Sequence, residues 1–143
     1  FEKIAFATHS LPAGWSGVST ESSLVLSGQD GDYFLTPSEI INLEIASDIV
    51  LLSSCNSEQQ GMNSLYKSFL VAGSNSVIYS NWELETNSAK NITQELFSSM
   101  VFESTPKHIA LQQASIAALN SYSDRQFSHP AYWGNFSIAY SNL

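Results

Sequence analysis

Short apolar runs alternate with longer stretches of helical spacing along this chain. Ile4-Ala5-Phe6-Ala7 is an apolar run that ends at Thr8-His9-Ser10 and is broken by Leu11-Pro12-Ala13-Gly14. It predicts a buried strand with a histidine at its C-terminal tip. A Gly/Ser-rich loop over residues 14–23 leads to a second short strand at Leu24-Val25-Leu26. Gln29-Asp30-Gly31-Asp32 is a turn signal ahead of Tyr33-Phe34-Leu35. Thr36-Pro37-Ser38-Glu39 then opens a helix, with Thr36 as N-cap, Pro37 in the first turn and Glu39 completing a capping box. That helix is short, because Ile49-Val50-Leu51-Leu52-Ser53-Ser54 reads as a buried strand with Cys55 at its C-terminal end.

Beyond Gly61, Leu65, Phe69 and Leu70 share one helical face, and Gly73 supplies the left-handed position that closes the helix. Val77-Ile78-Tyr79 is the next strand and runs into Ser80-Asn81-Trp82-Glu83. Thr86 to Phe102 is helical by the spacing of Ala89, Ile92, Leu96 and Met100. Pro106 to Tyr122 is helical by Ile109, Ala110, Ala114, Ala117 and Ala118, and Phe136 to Tyr140 closes the chain as an alternating strand. Continuous apolar strands alternating with helices predict an α/β fold, a mostly parallel sheet with helices on both faces. No solenoid repeat and no linker interrupts residues 1–143, which read as one domain or most of one.

Composition narrows the function. The net charge is −8, and Arg125 is the single arginine, which argues against a phosphate-backbone binder and so against nucleic acid as a ligand. Charged residues make up 13%, about half the usual share, and 26 serines fill much of the gap. No apolar run reaches the roughly 18–20 residues of a membrane helix, and no signal peptide is visible. Cys55 is the only cysteine, so no internal disulfide forms, which suits a reducing cytoplasm. The start at Phe1, directly in an apolar stretch, reads as a piece of a longer protein. Three histidines and one cysteine without closely spaced pairs make no zinc site, and no Gly-x-Ser-x-Gly elbow is present. Neither metal nor organic cofactor is expected.

In parallel α/β sheets ligands collect at the carboxyl ends of strands, where His9 and Cys55 both stand. A thiolate attacks a carbonyl, and an imidazole takes the thiol proton and later protonates the leaving amine. For an arbitrary Cys/His pair the commoner reading is a buried inert thiol and a structural histidine. His108, in the first turn of a helix, reads as a surface residue, and His129 as a packing residue bonded to backbone.

The wording around the pair tips the balance. Ala7-Thr8-His9-Ser10, followed by Leu51-Leu52-Ser53-Ser54-Cys55-Asn56-Ser57, resembles the CHAT domain, the caspase-like cysteine peptidase family often joined to tetratricopeptide repeats. Asp32-Tyr33-Phe34-Leu35-Thr36-Pro37-Ser38-Glu39-Ile40 is similar to the family's G-x-L-T-x-x-E-I stretch. Phe69-Leu70-Val71-Ala72-Gly73-Ser74-Asn75-Ser76-Val77 is similar to F-L-x-A-G-A-x-S-V, and Ser80-Asn81-Trp82 to S-L-W. His129-Pro130-Ala131-Tyr132-Trp133-Gly134-Asn135-Phe136 is similar to H-P-x-Y-W-A-A-F. Each segment is weak alone, but the ordered set is specific.

The resemblance implies a caspase-type three-layer α/β/α sandwich lacking its N-terminal strands, so that residues 1–143 are the C-terminal catalytic portion of a CHAT-like domain. It implies His9 as general base and Cys55 as nucleophile, with the oxyanion held by the backbone N–H groups of Cys55 and Ser10. Ser10 stands where the family usually has glycine. A substrate peptide is expected to pair with Ser80-Asn81-Trp82-Glu83, Trp82 offering an apolar wall. Ser53, two before the cysteine, is neutral where relatives that cut after arginine or lysine place an acid. Glu83 or Glu85 is then the candidate to hold a basic P1 residue through a bidentate pair. Two classes of function follow: a cysteine endopeptidase acting on a protein or peptide substrate under an upstream repeat or sensor domain, or a catalytically inactive caspase-like interaction module.

Overall fold

The computed structural model describes residues 2–15, 20–28, 33–54, 64–83, 85–102, 104–121 and 129–141. In chain order its elements are β1 (Lys3–Phe6), β2 (Ser10–Leu11), β3 (Ser23–Val25), β4 (Phe34–Leu35), α1 (Pro37–Ile41), β5 (Ile49–Leu52) and α2 (Leu65–Val71). β6 (Ser76–Ser80), α3 (Thr86–Phe102), α4 (Lys107–Ser121), α5 (Pro130–Trp133) and β7 (Phe136–Tyr140) follow. The chain divides into two compact units, Phe1–Glu83 with Ser137–Leu143, and Leu84–Phe136.

The first unit is built on a sheet of order β1-β5-β6-β7 in which β1–β5 and β5–β6 are parallel. This is the α/β class that the alternation of strands and helices predicts. All of β5 is buried, which requires cover on both faces and explains why Ile49–Leu52 reads as an unbroken apolar run. Val50, Leu52 and Val77 join Leu24, Ile40, Leu65 and Phe69 in one core beneath α1 and α2. Ile49, Leu51 and Ile78 are equally buried, at the alternate positions of the same strands. β1 corrects the expectation of a buried strand. It lies at the edge of the described sheet, with Lys3 and Ala5 exposed and only Ile4 and Phe6 packed against the core.

A second sheet was not foreseen. β2, β3 and β4 form an antiparallel meander, with Ser10 opposite Leu24 and Val25 opposite Phe34. The break read at Leu11-Pro12 therefore begins after a strand, since Ser10 and Leu11 are already paired. A two-residue strand is too short to carry a periodicity.

Helix ends follow their sequence signals. The capping box of α1 is complete: Thr36 Oγ1 accepts from the Glu39 N–H, and Glu39 Oε2 accepts from the Thr36 N–H at 2.7 Å. These bonds, the backbone one foremost, hold the exposed Glu39 carboxyl below its ordinary pKa. At the other end of α2, Gly73 has φ +108°, and its N–H and that of Ser74 return to Leu70 and Phe69 carbonyls. A Cβ there would meet the Ile45 carbonyl oxygen at 2.9 Å. Gly73→Ala combines that contact with a disfavoured φ and is expected to lower the unfolding free energy by about 1–3 kcal/mol. Gly14 also has positive φ, but open space around its Cβ position, so Gly14→Ala is the uncrowded control and costs less in the same urea titration.

About half of the described serines are buried. Apart from Asn135, every buried polar residue among those described is a serine. Ser47 Oγ donates to Ser74 Oγ at 3.1 Å, Ser74 Oγ to the Ser76 carbonyl at 2.9 Å, and Ser76 Oγ to the Asp48 carbonyl at 2.8 Å. These bonds tie the N-terminal ends of β5 and β6 together. A small hydroxyl satisfies a buried carbonyl at little volume, which is why so few charges accompany so many serines.

In the second unit α3 and α4 pack on each other, and α5 packs on both. Ile92, Leu96 and Met100 of α3 and Ala110, Ala114 and Ala118 of α4 are buried, as the helical spacing predicts. Ala117 is exposed and Ile109 only half-buried. His129 is the N-cap of α5, its Nδ1 accepting from the Ala131 N–H at 3.2 Å, so the His-Pro turn is the start of a one-turn helix.

Candidate active site

Parallel pairing brings three chain segments out of the sheet at the same end. Phe6, Leu52 and Tyr79 stand side by side in the register of β1, β5 and β6. His9, Cys55 and Trp82 each follow three residues beyond that row. The ladder continues one step further between β1 and β5, the Ser53 N–H donating to the Phe6 carbonyl at 2.9 Å. Cys55 and residues 56–63 lie outside the described residues.

His9 lies between β1 and β2 with its side chain exposed, while its backbone is held by β3. The Val25 N–H donates to the His9 carbonyl at 2.8 Å, and Thr8 Oγ1 donates to the Val25 carbonyl at 2.5 Å. The first of these bonds makes Ser10 and Leu24 a non-hydrogen-bonded pair of the antiparallel ladder. The Ser10 N–H is consequently directed away from β3. Ser10 takes this place without backbone strain, since Ser104 is the one non-glycine residue with positive φ among those described. Ser10 is accommodated as ordinary strand.

Ser54, the last described residue before Cys55, is 2% exposed, and its carbonyl accepts a hydrogen bond from Ser80 Oγ at the end of β6. Asn81 is engaged on the other side, where its side chain and the Ser137 hydroxyl of β7 exchange hydrogen bonds of 3.0 and 3.1 Å. The Ser80-Asn81 stretch is thus flanked by both β5 and β7. Trp82 is 39% exposed and Glu83 is exposed, so the tryptophan is a surface ring at this end of the sheet and not part of the core.

Glu85 belongs to the second unit, where it caps α3. Its Oε2 accepts from the Ser88 N–H at 2.7 Å and its Oε1 from the Asn87 N–H at 3.1 Å. The Ser88 bond is the main reason its pKa lies below the ordinary value, with burial opposing it and the Asn87 bond adding to it. His108, in the first turn of α4, is exposed. No group of three or more metal-ligating side chains occurs among the described residues, nor does any helix among them have the length and apolarity to cross a membrane.

Two features at this end of the sheet escape a reading of the sequence. One is the Ser80 hydroxyl, which no periodicity distinguishes from other serines. The other is a stack of Tyr66 on Tyr79, ring centroids 4.1 Å apart and planes 8° from parallel, with Lys67 Nζ 5.7 Å from the Tyr66 ring. Tyr66 lies in the first turn of α2 and Tyr79 stands in the aligned row, so the stack braces the strand that carries Ser80.

The chain matches the family model of the CHAT domain over residues 2–141, essentially its whole length. No curated protein matches it.

Proposed function

This chain belongs to the CHAT family, and from that premise we propose that it acts as a cysteine endopeptidase with a His9–Cys55 dyad, within a larger regulated protein. The observation that supports this most is the parallel register of β1, β5 and β6, which sends the segments bearing His9, Cys55 and Trp82 out at one end of the sheet with equal offsets. That is where a parallel α/β sheet collects its chemistry.

In the proposed reaction Cys55 Sγ, deprotonated by His9, attacks the scissile carbonyl, and the imidazolium returns the proton to the leaving amine. The backbone N–H groups of Ser10 and Cys55 hold the developing oxyanion. Water then hydrolyses the acyl-enzyme with His9 as base. An extended peptide aligns along Ser80-Asn81-Trp82-Glu83 by strand addition, with Trp82 against one of its side chains. A preference for a basic P1 residue rests on Glu83, which stands within that strand-pairing segment.

The test uses the fact that Cys55 is the only thiol in the chain. Its alkylation rate against pH is expected to have a midpoint well below the ~8.5 of free cysteine. In His9→Ala the midpoint is expected to return toward that value, because the cation that stabilises the thiolate is gone. A midpoint at the free-cysteine value in the unsubstituted protein would favour the second reading, an inactive module that keeps the fold for binding alone.

A further inference from the structure

We propose that Ser137 is a positioning residue for substrate alignment, acting through Asn81 to fix the bend from which Trp82 and Glu83 leave the sheet. This deepens the peptidase reading and rests on its alignment of a peptide along residues 80–83. β6 is paired with β5 as far as Tyr79, opposite Leu52, and β7 lies on its other side. Ser137 meets Asn81 just past the end of β6, and the Ser141 N–H donates to the Asn75 carbonyl, just before its start, at 2.9 Å. β7 therefore runs antiparallel to β6, and its first residues stand at the C-terminal end of β6. The chain bends at Asn81 and Trp82, directly after the last residue of that strand.

At the bend one hydroxyl holds the Asn81 side chain at two points. Asn81 Nδ2 donates to Ser137 Oγ at 3.0 Å, and Ser137 Oγ donates to Asn81 Oδ1 at 3.1 Å. Two bonds from one planar amide to one oxygen fix its rotation and hold Asn81 against β7. The pair is part-buried, where water competes less with such bonds. Ser80, one residue earlier, is buried with its hydroxyl on the Ser54 carbonyl. The side chains of Ser80 and Asn81 are thus turned into the fold, whereas Trp82 is 39% exposed and Glu83 is exposed. A peptide aligned here is read by Trp82 and Glu83, and their direction is set at Asn81. Alignment contacts act on substrate and transition state alike, so their loss raises KM and leaves kcat in place.

Ser76 provides an internal comparison. It lies on β6, is 0% exposed, and donates through Oγ to the Asp48 carbonyl at 2.8 Å, at the opposite end of the strand. A merely structural role for the Ser137 hydroxyl predicts that Ser137→Ala and Ser76→Ala behave alike.

The experiment measures kcat and KM on a set of hexapeptides scanned at P1, thermal unfolding, and the amide 1H–15N signals of Trp82 and Glu83. The variants are Ser137→Ala, Ser137→Thr, Asn81→Ala, the Ser137→Ala/Asn81→Ala double variant and Ser76→Ala. Ser137→Ala is expected to raise KM about 3–10-fold with kcat within twofold, the scale of a lost side-chain pair, and to shift both amide signals. Ser137→Thr keeps the hydroxyl and is expected to restore KM and the native signals. Asn81→Ala is expected to match Ser137→Ala, and the double variant to be no worse than either, because the two side chains act as one. Ser76→Ala is expected to lose stability while leaving KM and both signals in place. Unchanged KM and signals in folded Ser137→Ala, an equal KM rise in Ser76→Ala, or additive effects in the double variant overturn the proposal. Should Cys55→Ala retain cleavage, the dyad fails, and the KM of Ser137→Ala still decides the role of Ser137. Should the unsubstituted protein cleave no hexapeptide, the peptidase reading fails, and the two amide signals decide: shifted in Ser137→Ala they support the fixed bend, unshifted they overturn it.

Discussion

Cys55→Ala is expected to lower kcat/KM for peptide cleavage by about 10³-fold or more, with thermal unfolding unchanged within a few degrees. The size follows from the role. Alanine leaves nothing to attack the carbonyl, and only the contribution of the oxyanion donors and of substrate alignment survives. His9→Ala removes the proton acceptor and the proton donor to the leaving amine together, and its loss is expected to approach that of Cys55→Ala. Because the two side chains act as one unit, the double variant is expected to be no worse than Cys55→Ala by itself. His9 is exposed, and its backbone is held by the bond from the Val25 N–H to its carbonyl, so the substitution removes the imidazole and little packing. Cleavage by Cys55→Ala within tenfold of the unsubstituted protein would remove the dyad.

Phe69→Ala is expected to be the most damaging substitution outside the dyad, costing about 3–5 kcal/mol of the 5–15 kcal/mol that holds a domain folded. Phe69 is 0% exposed, and its ring centroid lies 5.3 Å from that of Phe6. Through it α2 is packed onto Leu24, Val50, Leu52 and Val77, so the cavity opens where α2 meets β3, β5 and β6. Phe6 ends β1 in the row from which His9 departs, and slack at Phe69 is therefore transmitted to the segment that carries His9. Phe69→Leu retains much of the volume and is expected to cost less than half as much, with activity falling by less. The measurement is urea unfolding alongside kcat/KM at a temperature where both variants stay folded. A Phe69→Ala loss below about 1.5 kcal/mol would mean that the core collapses around the gap.

Much of this fold is legible because local signals and burial agree. The capping box at Thr36 and Glu39, the glycine at position 73, the helix from Thr86 to Phe102 and the strand from Phe136 to Tyr140 all stand where residue type and spacing put them. Ile49–Leu52 reads as a two-faced buried strand and is one. β1 reads the same way yet is half exposed, because an apolar run records what a strand is able to bury and not whether a neighbour covers it. The paired stretch Ser10–Leu11 is too short to have a period, and the meander it belongs to depends on Leu24 and Phe34 arriving from distant parts of the chain.

The same division runs through the candidate site. The residue types of the proposed dyad, His9 and Cys55 at the ends of apolar runs, are properties of the sequence by itself, since a nucleophile and a base are chosen by their pKa range and reactivity. The family, too, is decided by an ordered set of short motifs, and the match over residues 2–141 bears it out. What only the tertiary structure decided is which of many alike side chains touch that chemistry. Glu85 reads in sequence as one more acid, and only the fold sets its carboxylate on the first turn of α3. Ser80 is one serine among 26, and only the pairing of β5 with β6 sets its hydroxyl against the carbonyl that precedes Cys55. The physical reason is that reactivity is intrinsic to a residue, whereas a hydrogen bond between residues 26 apart exists only after the strands have found their register.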